Sequence, residues 1–438
     1  MNLPEETRLP IHPPPRRQAH VLLALAALCA FAYLPALNNG FIADDFVILD
    51  RVTAWKADFS YVFKLSPERF RITSYLAFGL LKWLCGYHAA GYYVFAVLIH
   101  FFNAVLVWKF LQLATRSPRI AVWGSALFAV GQSPQEAIMW LAGMNEALAA
   151  LFILIALHLW LRHKYLWSSV ACVAALLSKE SWIIVVLLMP LAEFAAEGKF
   201  TLRRQQLYLG IPVLSFLLLF AGSLASNALV SHHMYAAGLQ AGLVWPISLH
   251  RLLFPWAYIA VLLWLATRRG PVAATALAGF AWMAVVLLPY VFLTYQNHVP
   301  SRHTYLASIG LAWFLAALVE EMRPGLLRAA FIAAFVVANV AYLWIVKDRQ
   351  YEQRAAPTTR LIEELRNHSP EPLLVEGFPY NPWVAKTTAR LAPGWEPEMI
   401  RVNEPASACP ACPTLHWDPA TEGYRTGGTA AKAKTPVH

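Results

Sequence analysis

Apolar residues arrive in long unbroken runs, of which 21–37, 95–113 and 147–161 are the clearest, and the short stretches between runs hold most of the charge. Coiled as a helix, a run of this length crosses, or nearly crosses, a hydrocarbon layer about 30 Å thick. Read this way, the chain predicts eleven spans, near 20–37, 91–113, 119–133, 139–161, 165–178, 181–196, 207–224, 250–267, 272–293, 304–320 and 326–346. Two of them, 119–133 and 165–178, are short and are expected to tilt or to thin the lipid around them. The stretch 236–249 reads as a re-entrant or interfacial segment. Ala30-Phe31-Ala32 resembles a signal-cleavage site, but the run continues to Leu37, which predicts an uncleaved first helix.

Basic residues set the orientation. With the N-terminus in the cytoplasm, the inside loops hold Arg116 and Arg119; Arg162 and Lys164; Lys199, Arg203 and Arg204; Arg268 and Arg269; Arg323 and Arg328. The short outside loops hold few cations, and the asymmetry persists through five successive inside loops, which predicts N-in and C-out. The expected organisation is a cytoplasmic tail (1–19), a transmembrane domain (20–346), a small extracytoplasmic domain (347–425) and a disordered end (426–438). The first outside loop, 38–90, contains an amphipathic stretch, 72–84, suited to the membrane interface. In the C-terminal region 373–376, 382–391 and 399–402 read as strand, helix and strand, a small α/β pattern.

Composition agrees with an all-α polytopic membrane protein integral to a bacterial inner membrane. The chain is 58% hydrophobic and 14% charged, against about 45–50% and about 25% for a soluble domain. Its seventeen Trp and seventeen Tyr cluster at run ends, where an interfacial aromatic belt forms. The net charge of +10 is spread as pairs between runs rather than as a patch, so it sets topology and does not point to nucleic acid. Neither GxxxxGK[ST] nor a strand-to-helix GxGxxG is present.

The polar residues that remain fall on one side. Asp44 and Asp45 directly follow the first span in NNGFIADDFVIL. Carboxylates this close to hydrocarbon are costly unless they face a polar cavity or find partners. Glu136, Asn145, Glu146, Lys179, Glu180, Arg302 and His303 occupy the same predicted side. Together they offer a carboxylate to deprotonate an acceptor and cations to stabilise a departing phosphate. Two adjacent aspartates can equally share a divalent cation such as Mg or Mn, so no cofactor is certain. Cys409 and Cys412, in CPAC, are expected to form a local disulfide in an oxidising compartment.

The order of these motifs resembles the GT-C class of membrane glycosyltransferases, and most closely bacterial relatives of the TMTC/PMT-type protein O-mannosyltransferases, over about 30–320. LPALNNGFIADDFVIL is similar to the family's first-loop segment. RITSYLAFGLL with GYYVFAVLIHFFNAVLVW, SPQEAIMWLAGMNEALAALF, LLSKESWIIVVLLMPLAE and SRHTYLASIG resemble its second to fifth blocks. The resemblance implies a GT-C bundle that takes a polyprenyl-phosphate sugar and glycosylates an extracytoplasmic protein, glycan or lipid with inversion. Asp44 or Asp45 then serves as catalytic base and Glu136 as the second acid. Lys179 and Arg302 face the lipid phosphate, with Glu180 holding Lys179. Ser301-Arg302-His303 stands where the family has Glu-Arg-Tyr, and Ser133-Pro134-Gln135 precedes Glu136 where a His is usual. The alternatives are a transporter or flippase, which calls for ionisable groups at helix midpoints or an internal repeat, and a non-catalytic scaffold.

Overall fold

The computed structural model describes residues 15–54, 71–198, 204–225, 239–268, 274–292, 297–405, 407 and 409–427. Each of the eleven expected spans falls on a helical segment, because a backbone in lipid must satisfy its own hydrogen bonds. The order begins with α1 (Pro15–Tyr33), α2 (Asp44–Ala54), α3 (Ile72–Cys85), α4 (Ala89–Thr115) and α5 (Pro118–Val130). After these come α6 (Glu136–Met139), α7 (Met144–Leu161), α8 (Tyr165–Leu176), α9 (Val185–Glu197) and α10 (Gly210–Ala225). The bundle is completed by α11 (Leu239–Leu253), α12 (Trp256–Thr267), α13 (Ala274–Val286), α14 (Tyr305–Glu321) and α15 (Leu326–Ala341). Among the described residues, five helical stretches are long and apolar enough to cross a membrane alone, and a sixth is if α11 and α12 count as one span bent by 62°.

Helix α14 is the core of the bundle: it is buried almost from end to end, with Trp313 and Phe110 in edge contact, ring centroids 5.7 Å apart. The outer helices show lipid the opposite face. In α3, Leu76, Leu80, Trp83 and Leu84 are exposed along one stripe while Tyr75, Phe78 and Leu81 are buried, the 3.6-residue periodicity of an interfacial helix.

Several expectations need correction. The span expected from residue 250 starts at Trp256, because the chain bends at Pro255; the segment expected to be re-entrant or interfacial lies largely on α11, which meets α12 at 62° as a broken span or a re-entrant loop. Residues 1–14 of the N-terminal tail lie outside the described residues. The last span does not stop at 346. It passes through a π-helical turn (Tyr342–Lys347) into α16 (Asp348–Asn367), one run of 42 residues. The polar half of that run had no apolar signal of a span, but its buried Tyr351, Ala355, Thr358, Leu361 and Leu365 form a single inward stripe.

The C-terminal unit contains β1 (Leu373–Glu376), α17 (Pro382–Ala389), β2 (Ile400–Val402), β3 (Thr414–Asp418) and β4 (Gly423–Gly427), with strand order β2-β1-β3-β4. β1 runs parallel to β2 and β3, and β4 closes an antiparallel hairpin with β3. β4 therefore claims residues 426 and 427 from the expected disordered end, while 428–438 lie outside the described residues. Cys409 and Cys412 are bonded to each other just before β3. The unit sits on the first loop: Arg390 pairs with Asp50, and the Thr358 hydroxyl donates to the Phe41 carbonyl at 3.0 Å.

Candidate active site

After a 3-10 turn (Leu34–Asn38) the chain reaches Ala43, whose φ of +43° is left-handed, and then opens α2 with Asp44 and Asp45. The two aspartates part at this point. Asp45 is fully buried: one carboxylate oxygen accepts from the Ile42 N–H at 2.8 Å and the other from the Ala142 N–H at 2.6 Å. Burial pushes its carboxyl up to about 8, against the opposing pull of those two N–H groups. Asp44 is exposed and its carboxylate has no hydrogen-bond partner among the described residues. Asp45 thus stitches the first loop to the segment between α6 and α7. Two more bonds reinforce the seam, from the Trp140 indole to the Ile42 carbonyl at 3.2 Å and from Asn39 to the Met139 carbonyl at 3.3 Å.

That segment makes a tight reversal. Gly143 has an ordinary φ of −80°, yet a Cβ there would stand 2.6 Å from the Glu136 carbonyl oxygen, so the position has no room for a side chain. The reversal sets Glu136 and Glu146 on two adjoining clusters, and the 3-10 turn Ser301–Thr304 supplies a cation or imidazole to each. Arg302 reaches Glu136 twice, by Nη1 at 3.0 Å and by its backbone N–H at 3.2 Å. Arg354, from α16, approaches the same carboxylate oxygen at 3.7 Å. Both guanidinium groups also lie over Trp140, at 5.2 Å for Arg302 and 4.7 Å for Arg354.

The second cluster is buried. Glu146 Oε1 meets the Lys179 ammonium and His303 Nδ1, and the Tyr290 hydroxyl donates to its other oxygen at 3.3 Å. Tyr290 stacks on His303 with centroids 4.6 Å apart. Charges out of water need partners of this kind, and here each acid and base neutralises the next. Asn145 is buried in the first turn of α7, beside Glu146. Between α4 and α14, His100 Nδ1 lies 2.7 Å from the Tyr305 hydroxyl, and Asn103 donates to that hydroxyl at 3.0 Å.

The structure therefore brings Asp45, Glu136 and Arg302 to one seam and gathers Glu146, Lys179 and His303 beside it. It corrects the expected role of Glu180: Lys179 is held by Glu146, and Glu180 faces Arg71 at 3.6 Å. Lys179, Glu146 and His303 meet one another rather than an open cleft, because a buried ammonium is stable only beside its counter-charge. Arg354, Trp140 and Tyr290 escaped the sequence reading. Arg354 lies in DRQYEQRAAPTTR, which looks like any solvated helix, and nothing local marks it.

Both Asp45 oxygens accept from backbone N–H groups, Glu136 is engaged by arginines, and among the described residues no three His, Cys, Asp or Glu side chains converge.

No family model and no curated protein sequence matches the chain. Solved structures do. The chain is similar to ArnT from Cupriavidus metallidurans bound to undecaprenyl phosphate, with TM-score 0.54, 11% identity, and coverage of 92% of this chain and 94% of that one. It is also similar to the archaeal oligosaccharyltransferase AglB from Archaeoglobus fulgidus in complex with an inhibitory peptide and a dolichol-phosphate. That match has TM-score 0.52 and 12% identity, and covers 86% of this chain and 64% of that one. At such identities the likeness concerns the fold alone, a helical membrane bundle with a small C-terminal unit that this chain shares with the ArnT structure over nearly its whole length.

Proposed function

We propose that the chain is an inverting membrane glycosyltransferase that moves a sugar from a polyprenyl-phosphate carrier to a hydroxyl of an extracytoplasmic protein, glycan or lipid. The observation that carries this is Asp44, an exposed and uncommitted carboxylate held rigidly by its buried neighbour Asp45. Asp44 takes the acceptor's hydroxyl proton as its oxygen attacks the anomeric carbon. The bond from that carbon to the phosphate oxygen breaks, and the electron pair leaves with the lipid phosphate. Arg302 stabilises that charge, and Glu136 holds Arg302 in place before the donor arrives. Lys179, Glu146 and His303 hold the turn that carries Arg302. The N-terminus lies in the cytoplasm and the C-terminal unit outside it.

Two further facts support the reading. ArnT and AglB, which share this fold, were solved with undecaprenyl phosphate and a dolichol-phosphate. Asp44, Asp45, Glu136, Glu146, Lys179 and Arg302 also sit at helix ends and turns, whereas a transport path calls for such charges at helix midpoints. The test is release of polyprenyl phosphate by purified protein in liposomes, given a panel of polyprenyl-phosphate sugars, with cell-envelope extract supplying acceptors. Turnover in the wild type and its loss in Asp44→Asn supports the assignment. Turnover with no donor in the panel would refute it in favour of a scaffold or transporter. Running each arm with EDTA reports on any metal requirement.

A further inference from the structure

Arg354 belongs to the helix that carries the C-terminal α/β unit, 218 residues from Glu136 in sequence, yet its guanidinium reaches the same Glu136 oxygen as Arg302. The two guanidinium groups both lie over the Trp140 ring. Side-chain exposure is 22% for Arg302, 31% for Arg354 and 14% for Glu136, so the group is open to a ligand. The Glu136 carboxylate thus faces both guanidinium groups at once. Lys347, about two turns before Arg354, adds a third charge close enough to sense both Glu136 and Arg354.

The backbone of this arginine is also tied down: the Tyr380 hydroxyl, from the segment between β1 and α17, donates to the Arg354 carbonyl at 2.7 Å. Stacking on Trp140 and on Tyr351, at 5.2 Å, limits the guanidinium's own freedom. A planar guanidinium pre-set in this way suits bidentate recognition of phosphate oxygens.

We infer that Arg354 is a second phosphate-binding residue, so that the C-terminal unit completes the donor site, and that Glu136 occupies the two arginines until the donor's phosphate replaces it. The inference rests on the lipid-phosphate donor reading given above. It makes the C-terminal unit part of the donor site rather than an appendage, because α16 fixes where Arg354 stands.

The experiment is equilibrium binding of undecaprenyl phosphate to the full-length protein in nanodiscs, with melting temperature followed in parallel. Arg354→Ala is expected to weaken binding roughly tenfold to a hundredfold, the size of one charge-assisted hydrogen bond. Arg354→Lys, which keeps the charge but loses the fork, should fall between. Glu136→Gln should tighten binding several-fold, since the competing charge is gone; a merely structural ion pair would not give that result. Arg360→Ala, on the same helix and paired with the exposed Glu363, should bind as wild type. Wild-type binding by Arg354→Ala, or weaker binding by Glu136→Gln at an unchanged melting temperature, would overturn the inference while leaving the donor reading standing. Failure of the wild-type protein to bind undecaprenyl phosphate would overturn the donor reading itself, and this inference with it.

Discussion

Replacing Asp45 with alanine removes two acceptors from a position with no exposed surface. The Ile42 and Ala142 N–H groups, now 2.8 Å and 2.6 Å from its carboxylate oxygens, lose their partners in a site that water does not reach. Each buried donor left unsatisfied costs about 1–3 kcal/mol, so the pair predicts a loss of about 4 kcal/mol. Asparagine keeps one acceptor and should cost about half as much. Asp44→Ala removes an exposed side chain with no hydrogen bond among the described residues, and such changes stay within about 0.5 kcal/mol. Turnover should show the reverse pattern of diagnosis. Asp44→Ala loses roughly 10²–10⁴ in rate, the contribution of a positioned general base, with its unfolding midpoint unchanged. The assay is denaturant or thermal unfolding in one detergent beside release of polyprenyl phosphate. An Asp45→Ala protein as stable as wild type, or an Asp44→Ala protein that turns over normally, would refute the division of labour.

Three further outcomes follow from the same geometry. Lys179→Met strands the fully buried Glu146 and should destabilise by about 3–5 kcal/mol, and adding Glu146→Leu should recover most of that, read by thermal unfolding. Gly143→Ala places a methyl against the Glu136 carbonyl, which has no room to yield; a loss of about 1–3 kcal/mol with reduced turnover is expected. Asp45 gives the pH dependence: its carboxyl rises from 3.8 in the unfolded chain to about 8 in the fold, so the folded state holds a proton that the unfolded state has released. Its stabilising contribution is therefore complete below pH 4, declines as the pH rises through 8, at most about 1.4 kcal/mol per unit, and is flat beyond. Melting temperatures measured from pH 4 to pH 9 should show this slope, and Asp45→Asn should flatten it.

Much of this protein was legible from the order of its residues. A helix in lipid is a local object, so an apolar run is enough to locate it: every expected span falls on helical structure, though among the described residues only five stretches, or six with the bent pair, are long and apolar enough to cross alone. The disulfide between Cys409 and Cys412 spans three positions and needs no distant partner. The strand-helix-strand of 373–402 could be read from short-range alternation. Asp44, Asp45, Glu136, Glu146, Lys179 and Arg302 could be singled out because polar residues beside hydrocarbon are conspicuous wherever they occur. What those residues do to one another was a matter for the tertiary structure. Adjacent aspartates look alike until one is turned inward to a backbone N–H from 97 residues away. Glu180 is next to Lys179 in the chain, yet the buried ammonium pairs with Glu146 from α7 while Glu180 turns to Arg71. Arg354 was invisible for the same reason: a charged residue on a polar helix carries no sign of its partner, and only the extension of α16 back over the first loop brings it to Trp140 and Glu136. Local hydrogen bonding and hydropathy decide elements, while ion pairing depends on which element ends meet, and that is set by the packing of the whole bundle.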